Sequence, residues 1–123
     1  MADRRKQTGR CGEDIAAAYL LQNGYTIVTR NWRCEYGELD IVARQSDVLV
    51  FVEVRTRRGD RFGTPEESIT PAKQARLVDL AQAYLQQSGD PPPRWRIDVV
   101  AVQLGAGAAQ VNHIENAVGW GFD

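Results

Sequence analysis

Alternating apolar and polar residues predict three strands in the first half of the chain. The segments Tyr25–Trp32, Glu38–Arg44 and Val48–Arg55 each have the two-residue period of a strand that buries one face. The connections around Glu35–Gly37 and Ser46–Asp47 have the length of hairpin turns, so neighbouring strands are expected to run antiparallel. The pattern therefore predicts a three-stranded antiparallel unit.

Two other segments carry apolar residues at helical spacing. The first, Gly9–Asn23, is closed by Gly24, which suits the left-handed residue that follows a helix. Glu13 falls in the first turn of this predicted helix, where the helix dipole favours a carboxylate. The second helix is predicted between the Thr70-Pro71 start signal and Gly89.

Two further strands are predicted after the second helix, at Arg96–Val102 and, as a short edge strand, at Gln110–Ile114. A strand reached through a crossover helix pairs in parallel, so Arg96–Val102 is expected beside Val48–Arg55. The predicted fold is α/β in the order αβββαβ(β), with one mixed sheet flanked by two helices. Residues 9–118 are predicted to form a single domain, with a flexible basic arm at 1–8 and a loosely held end at 119–123.

The central hairpin is predicted to bring two carboxylates together. If residues 46–47 form the turn, the register places Asp40 opposite Glu53 and Glu38 opposite Arg55, with all four on one face. Two carboxylates about 5 Å apart repel by roughly 3 kcal/mol at an effective dielectric of about 20, so they need a cation or a proton. Mg²⁺ or Mn²⁺ suits oxygen ligands, and Asp40 and Glu53 are the predicted metal ligands.

Composition and charge narrow the possible partners. The chain has 123 residues, 43% of them hydrophobic, and a net charge of -1, so any nucleic-acid binding must come from local patches. Residues 1–61 hold eleven Lys and Arg against nine Asp and Glu, whereas residues 62–123 hold four against seven. The basic excess lies in the half that carries the carboxylate pair. The sequence shows neither a signal peptide nor a membrane span, so we expect a cytoplasmic protein without a membrane partner.

Basic residues after the hairpin predict a nucleic-acid contact. Arg57, Arg58 and Arg61 lie in a polar, Gly-rich segment that is either a phosphate-binding loop or a solvated one. Lys73, in the first turn of the second helix, either binds a phosphate or is an ordinary surface lysine. Farther along the chain, an apolar strand contains Asp98, for which we expect a structural partner. The single histidine, His113, has no nearby acid in the sequence pattern and is not expected to form a site.

An ordered set of motifs over about residues 9–118 resembles the uncharacterised bacterial YraN-like family. The motifs are Gly12-Glu13, Gly24-Tyr25, Arg30-Asn31, Gly37–Asp40, Phe51–Arg55, Lys73 and Arg96–Val100. That family is similar to the restriction-endonuclease-like superfamily, whose PD-(D/E)xK nucleases include the archaeal Holliday junction resolvases. The resemblance implies that Asp40 and Glu53 are the metal-binding acids and that Arg55 occupies the usual lysine position. It also implies that Glu13 is a helix carboxylate that joins the site.

The arginine at position 55 departs from this family pattern, and so, less seriously, does the lack of a proline before Asp40. Lysine can lose its proton and act as a base, whereas arginine stays charged and can only bind or stabilise anionic oxygens. Two functions therefore stay open: a metal-dependent endonuclease acting on nucleic acid, with DNA (branched DNA included) favoured, and a nucleic-acid-binding module without cleavage. A protein-interaction domain is the third alternative, and a homodimer is compatible with all of them.

Overall fold

The computed structural model describes residues 4–59, 69–89 and 94–118, which form two helices and a five-stranded sheet. The strands lie in chain order across the sheet, with β3 and β4 parallel and all other neighbours antiparallel. The α/β class, the order of the elements and the mixed sheet are therefore confirmed. The elements are α1 (Arg4–Gln22), β1 (Thr26–Cys34), β2 (Gly37–Gln45), β3 (Val48–Arg58), α2 (Pro71–Ser88), β4 (Arg94–Leu104) and β5 (Gln110–Ile114).

One helix covers each face of the sheet. Alternation along β3 directs Val50 and Val52 into the core that contains α1, and Leu49 and Phe51 into the core that contains α2. The middle strand is therefore buried on both faces, as expected for a strand in parallel pairing. No helix in these described ranges is both long enough and apolar enough to cross a membrane.

The first helix begins earlier than the sequence pattern predicts. α1 starts at Arg4, so residues 4–8 continue the helix and do not form the expected flexible arm. Most of these residues are Arg, Lys and Gln, which are good helix formers and extend a helix that is already anchored by packing. Glu13 consequently lies in the middle of α1, and the prediction that it occupies the first turn is wrong. Residues 1–3 and the expected loose end at 119–123 lie outside the described residues.

The central hairpin has the predicted turn and register. Ser46 adopts a left-handed conformation with φ +55°, and β2 pairs with β3 from Gln45 opposite Val48 to Ile41 opposite Val52. The start of α2 is also as predicted, because Thr70 Oγ1 accepts a hydrogen bond of 3.2 Å from a backbone amide in the first turn.

The basic segment after the hairpin differs from the prediction. β3 continues to Arg58, so Arg57 and Arg58 lie on a strand and not in a loop. β4 runs alongside as far as Leu104 and supplies hydrogen-bonding partners for the backbone of this extension. Arg61 lies outside the described residues.

Candidate functional site

Asp40 lies where the described pairing of β2 with β3 ends. The last pair is Ile41 opposite Val52, and one residue farther the Asp40 carboxylate accepts a hydrogen bond of 2.8 Å from the Val54 amide. β2 changes face at this point, because Leu39 packs in the α2 core whereas Ile41 packs in the α1 core. A regular strand places residues two apart on the same face. The irregularity therefore lets the Asp40 side chain turn toward β3.

The carboxyl groups of Asp40 and Glu53 lie close enough to share a hydrogen bond, although the described pairing of β2 with β3 ends one residue earlier. Burial raises the pKa of Asp40 to about 8, and the charge of Glu53 and the hydrogen bond between the two groups add to the rise. The charge of Glu13 raises the pKa further, while the Val54 amide opposes the rise. At neutral pH the pair therefore holds a proton unless a cation takes its place.

Arg55 supplies positive charge at the same end of β3. Its Nη1 atom lies 3.4 Å from Glu53 Oε2, and the two side chains are only 19% and 16% exposed. This distance is long for a charge-assisted hydrogen bond, so the contact offsets only part of the repulsion between the acids. Because a guanidinium stays protonated, Arg55 can bind anionic oxygens but cannot act as a base.

Glu13 reaches the site because α1 packs closely against β3. A Cβ atom on Gly12 would lie only 1.9 Å from Thr56 Oγ1, so a glycine is needed for this approach. Glu13 is 13% exposed and acts on Asp40 through its charge. From β1, Arg30 donates two hydrogen bonds of 3.2 Å to Glu13 Oε1. A third carboxylate is thus held near the Asp40–Glu53 pair.

A cleft of about 480 Å³ opens between α1 and the end of β3. A neighbouring cavity shares Thr8 and Arg58 with it, so the concave surface continues along α1. The carboxylates of Glu13 and Asp40 and three arginines therefore line one cleft, and Glu53 contacts Asp40 from outside this lining. The residues around the cleft are Thr8, Gly9, Glu13, Asp40, Val54, Arg55, Thr56, Arg57 and Arg58.

Two further side chains do not line the cleft. Glu38 was expected opposite Arg55, but the described pairing of β2 with β3 ends at Ile41, and Glu38 accepts a hydrogen bond of 2.7 Å from Arg33 Nε. Lys73 does lie in the first turn of α2, but that helix packs on the face of the sheet opposite Glu13, and other residues line the cleft. A role for Lys73 in the site stays a prediction.

A second polar cluster joins α1 to β4 and β5, and sequence reasoning missed it. His113 Nε2 lies 2.7 Å from Asp98 Oδ2, so the prediction of a histidine without a nearby acid is wrong. The Tyr19 hydroxyl of α1 lies 3.1 Å from His113 Nδ1. Arg96 binds both oxygens of Asp98, at 2.9 and 3.2 Å, and the Asn116 amide donates to one of them. The expectation that Asp98 has structural partners is confirmed.

This cluster fits a structural role better than a metal site. Burial alone would raise the pKa of Asp98, but hydrogen bonds from His113, Arg96 and Asn116 hold the pKa below its ordinary value. Ligand atoms of Asp98, His113 and Glu115 lie within 4.8 Å of one another. However, Arg96 binds Asp98 and lies 3.3 Å from Glu115, so its charge would repel a cation. The cluster fastens two strands and a helix together.

The roles of Arg30 and Gly12 are also not assigned by the sequence alone. Each depends on a partner from a distant segment, since Arg30 binds Glu13 and Gly12 contacts Thr56. A glycine inside a helix costs about 1 kcal/mol relative to alanine. The presence of Gly12 within the predicted helix therefore indicates close packing at that position. No comparable local signal marks Arg30.

Comparison with known proteins places the chain in a family. The pattern of the uncharacterised protein family UPF0102 matches residues 12–102. A UPF0102 protein of Roseiflexus castenholzii is 51% identical over 121 residues, which are 96% of this chain and 98% of the relative. A UPF0102 protein of Symbiobacterium thermophilum is 49% identical over 113 residues, or 91% of this chain and 96% of the relative. The resemblance to YraN-like proteins is thereby confirmed, and the chain belongs to the uncharacterised protein family UPF0102.

Proposed function

We propose that this protein is a metal-dependent nuclease that hydrolyses phosphodiester bonds of nucleic acid, with DNA as the expected substrate. The contact between the carboxyl groups of Asp40 and Glu53 carries the proposal. A hairpin gains nothing from two partly buried acids that repel each other, and a bound cation or a shared proton must offset the repulsion. The nearby arginines add binding capacity for a phosphate.

The residues present fit a hard divalent cation. Asp40 and Glu53 offer only oxygen ligands, and burial together with the charge of Glu53 raises the pKa of Asp40 to about 8, which is consistent with a site that a cation would stabilise. Asp40 and Glu53 would hold Mg²⁺ or Mn²⁺ and leave its other positions to water and phosphate oxygens. Such a cation stabilises developing charge on the phosphate and lowers the pKa of the attacking water.

The protein's own side chains divide the remaining work. Glu13 is held at the cleft by Arg30 and would orient the attacking water by accepting its hydrogen bond. Arg55 also lines the cleft and would stabilise the negative charge that grows on the phosphate. Arg57 and Arg58, farther along β3, would hold the sugar–phosphate backbone in register.

Arg55 also favours a second candidate function, a nucleic-acid-binding module without cleavage. A permanently charged guanidinium cannot supply the proton acceptor that a lysine could, and here it lies 3.4 Å from Glu53. The same cleft and arginines would then bind a phosphate backbone without turnover. The two functions share their binding surface and differ only in hydrolysis.

Cleavage of a substrate panel tests the proposal. Branched, single-stranded and duplex DNA and RNA are incubated with the wild type and with Asp40→Asn in Mn²⁺ or Mg²⁺. Asp47→Asn is the matched control, because Asp47 lies in the turn of the same hairpin and is 59% exposed. We expect cleavage by the wild type and the control and none by Asp40→Asn. Nucleic-acid binding without cleavage would favour the binding module. A protein that binds neither the metal nor nucleic acid would overturn both candidate functions.

A further inference from the structure

Two residues of β1 that should share a face of the sheet point to opposite helices. Arg30 binds Glu13 and Asp14 of α1. Trp32, two residues later, stacks edge-on against Tyr84 of α2, with ring centroids 5.4 Å apart. Residues two apart on a regular strand lie on the same face, so the backbone between Arg30 and Trp32 must switch faces.

Asn31 is the residue at which this switch occurs. Its φ of +56° is left-handed, although it lies inside β1, between the paired positions Arg30 and Trp32. A left-handed backbone is unfavourable for most side chains, and asparagine tolerates it better than most. The neighbouring strand changes face at Asp40, which lies between the partners of Arg30 and Trp32. The two irregularities therefore occur side by side, next to the candidate metal ligands.

Arg30 holds the Glu13 carboxylate in one orientation. Its Nε and Nη2 atoms both lie 3.2 Å from Glu13 Oε1, and Nη2 also lies 2.7 Å from Asp14 Oδ1. Glu13 is 13% exposed, whereas Asp14 is 70% exposed, so the inner acid is the better protected partner. The planar guanidinium of Arg30 restrains the orientation of the Glu13 carboxylate and also offsets its charge. A lysine at this position would restrain the orientation less well.

We propose that Arg30 is a positioning residue, aimed by the left-handed backbone of Asn31, that fixes Glu13 at the cleft beside Asp40. Arg30 is not among the residues that line the cleft, so it would act through Glu13. The inference rests on the proposed nuclease function, because it gives Glu13 the work of orienting the attacking water.

A double-mutant cycle tests the link between Arg30 and Glu13. Arg30→Gln should lower kcat by about 10- to 100-fold at saturating Mn²⁺, the usual cost of a misplaced group, and leave the Kd for Mn²⁺ within about threefold. In the Glu13→Gln background the same substitution should have no further effect on kcat. An equal loss in both backgrounds would overturn the inference while leaving the proposed function intact. Arg33→Gln is the matched control, since Arg33 pairs with Glu38 on the same strand.

Two measurements do not depend on turnover. Relaxation of water protons by bound Mn²⁺ should differ between the wild type and Arg30→Gln, because water near the metal loses its oriented acceptor. In the metal-free protein, the Arg30 Nε–H resonance should shift in Glu13→Gln. If both signals stay unchanged, the inference is wrong even if the protein binds Mn²⁺. If the wild type neither binds Mn²⁺ nor cleaves, the proposed function fails and the inference fails with it.

Substitutions at Asn31 test the backbone switch. Asn31→Gly should keep the Arg30 Nε–H resonance and kcat near wild type, because glycine adopts positive φ without strain. Asn31→Val should shift the Arg30 Nε–H resonance and lower kcat, because a β-branched residue resists a left-handed conformation. Thermal melting checks that each variant is folded. A folded Asn31→Val with both properties retained would exclude Asn31 as the cause.

Discussion

The Asp40 carboxylate accepts a hydrogen bond of 2.8 Å from the backbone amide of Val54. Asp40 lies one residue beyond the last described pair of β2 with β3. A side chain therefore continues the hydrogen bonding that the two backbones discontinue. This places a partly buried acid against Glu53, so the arrangement of the hairpin requires a proton or a cation between the two carboxyl groups.

Stability of the metal-free protein should fall as the pH rises from about 4 to about 8. Folded Asp40 keeps its proton up to a pKa of about 8, whereas in the unfolded chain the pKa is near 3.8. Within this window the folded state binds more protons, so the free energy of unfolding decreases by up to about 1.4 kcal/mol per pH unit. Urea denaturation in a chelator should show this slope in the wild type and in Asp47→Asn, and a flatter slope in Asp40→Asn. Equal slopes in the wild type and in Asp40→Asn would contradict the assignment of the raised pKa to Asp40.

Metal affinity should change with pH in the opposite sense. A cation that binds Asp40 and Glu53 displaces the proton held there, so the affinity should rise about tenfold per unit up to about pH 8. Calorimetry of Mn²⁺ binding in two buffers of different ionisation enthalpy should give release of about one proton per ion near pH 7. A pH-independent affinity would exclude Asp40 as a ligand.

Nucleic-acid affinity should depend steeply on salt through the arginines after the hairpin. Replacing Arg57, Arg58 and Arg61 by alanine together should reduce the slope of log affinity against log salt by about 2, since each phosphate contact contributes about 0.7–0.9. Arg94→Ala is the control, because Arg94 is 71% exposed and pairs with Asp47 at the hairpin turn. Fluorescence anisotropy titrations measure both slopes. An unchanged slope would show that these arginines do not contact phosphates.

Substitutions at Arg55 should distinguish a nuclease from a binding module. In a nuclease, Arg55→Lys should preserve or raise cleavage because an ammonium also offsets charge, and Arg55→Ala should lower it by about 10²-fold. In a binding module, Arg55→Lys should weaken binding without any turnover, because the planar fork is lost. Cleavage and affinity are measured together for the three proteins. Absence of cleavage in the arginine and lysine forms alike, with Mn²⁺ bound, would end the enzyme hypothesis.

The contact between Gly12 and Thr56 should be sensitive to one added methyl group. Gly12→Ala would place a carbon in steric overlap with the side chain of Thr56, so α1 or β3 must shift, at a cost of about 1–3 kcal/mol in the free energy of unfolding. Gly9→Ala is the matched control on the same helix, because its Cβ would meet no atom within 4 Å. That change should stabilise the protein by up to about 1 kcal/mol. Equal stabilities of the two variants would contradict the close approach.

The sequence by itself determined the features that depend on neighbours along the chain. Two-residue periodicity and short turns defined the hairpin and its register from Gln45 opposite Val48 to Ile41 opposite Val52. The change of face in β2 that turns the Asp40 side chain toward β3 was not predicted. The end signals of α2 were equally local, since Thr70 caps the helix that Pro71 begins. Such features are readable because each follows from a few adjacent residues and their backbone preferences.

Only the tertiary structure decided which distant side chains share the cleft. The contacts of Arg30 with Glu13, of Gly12 with Thr56 and of His113 with Asp98 each join separate elements, and no period or turn signal encodes them. The strand conformation of Arg57 and Arg58 likewise depends on pairing with β4. Packing of α1 on the sheet brings these groups together, because burial of its apolar face sets the position of every side chain it carries.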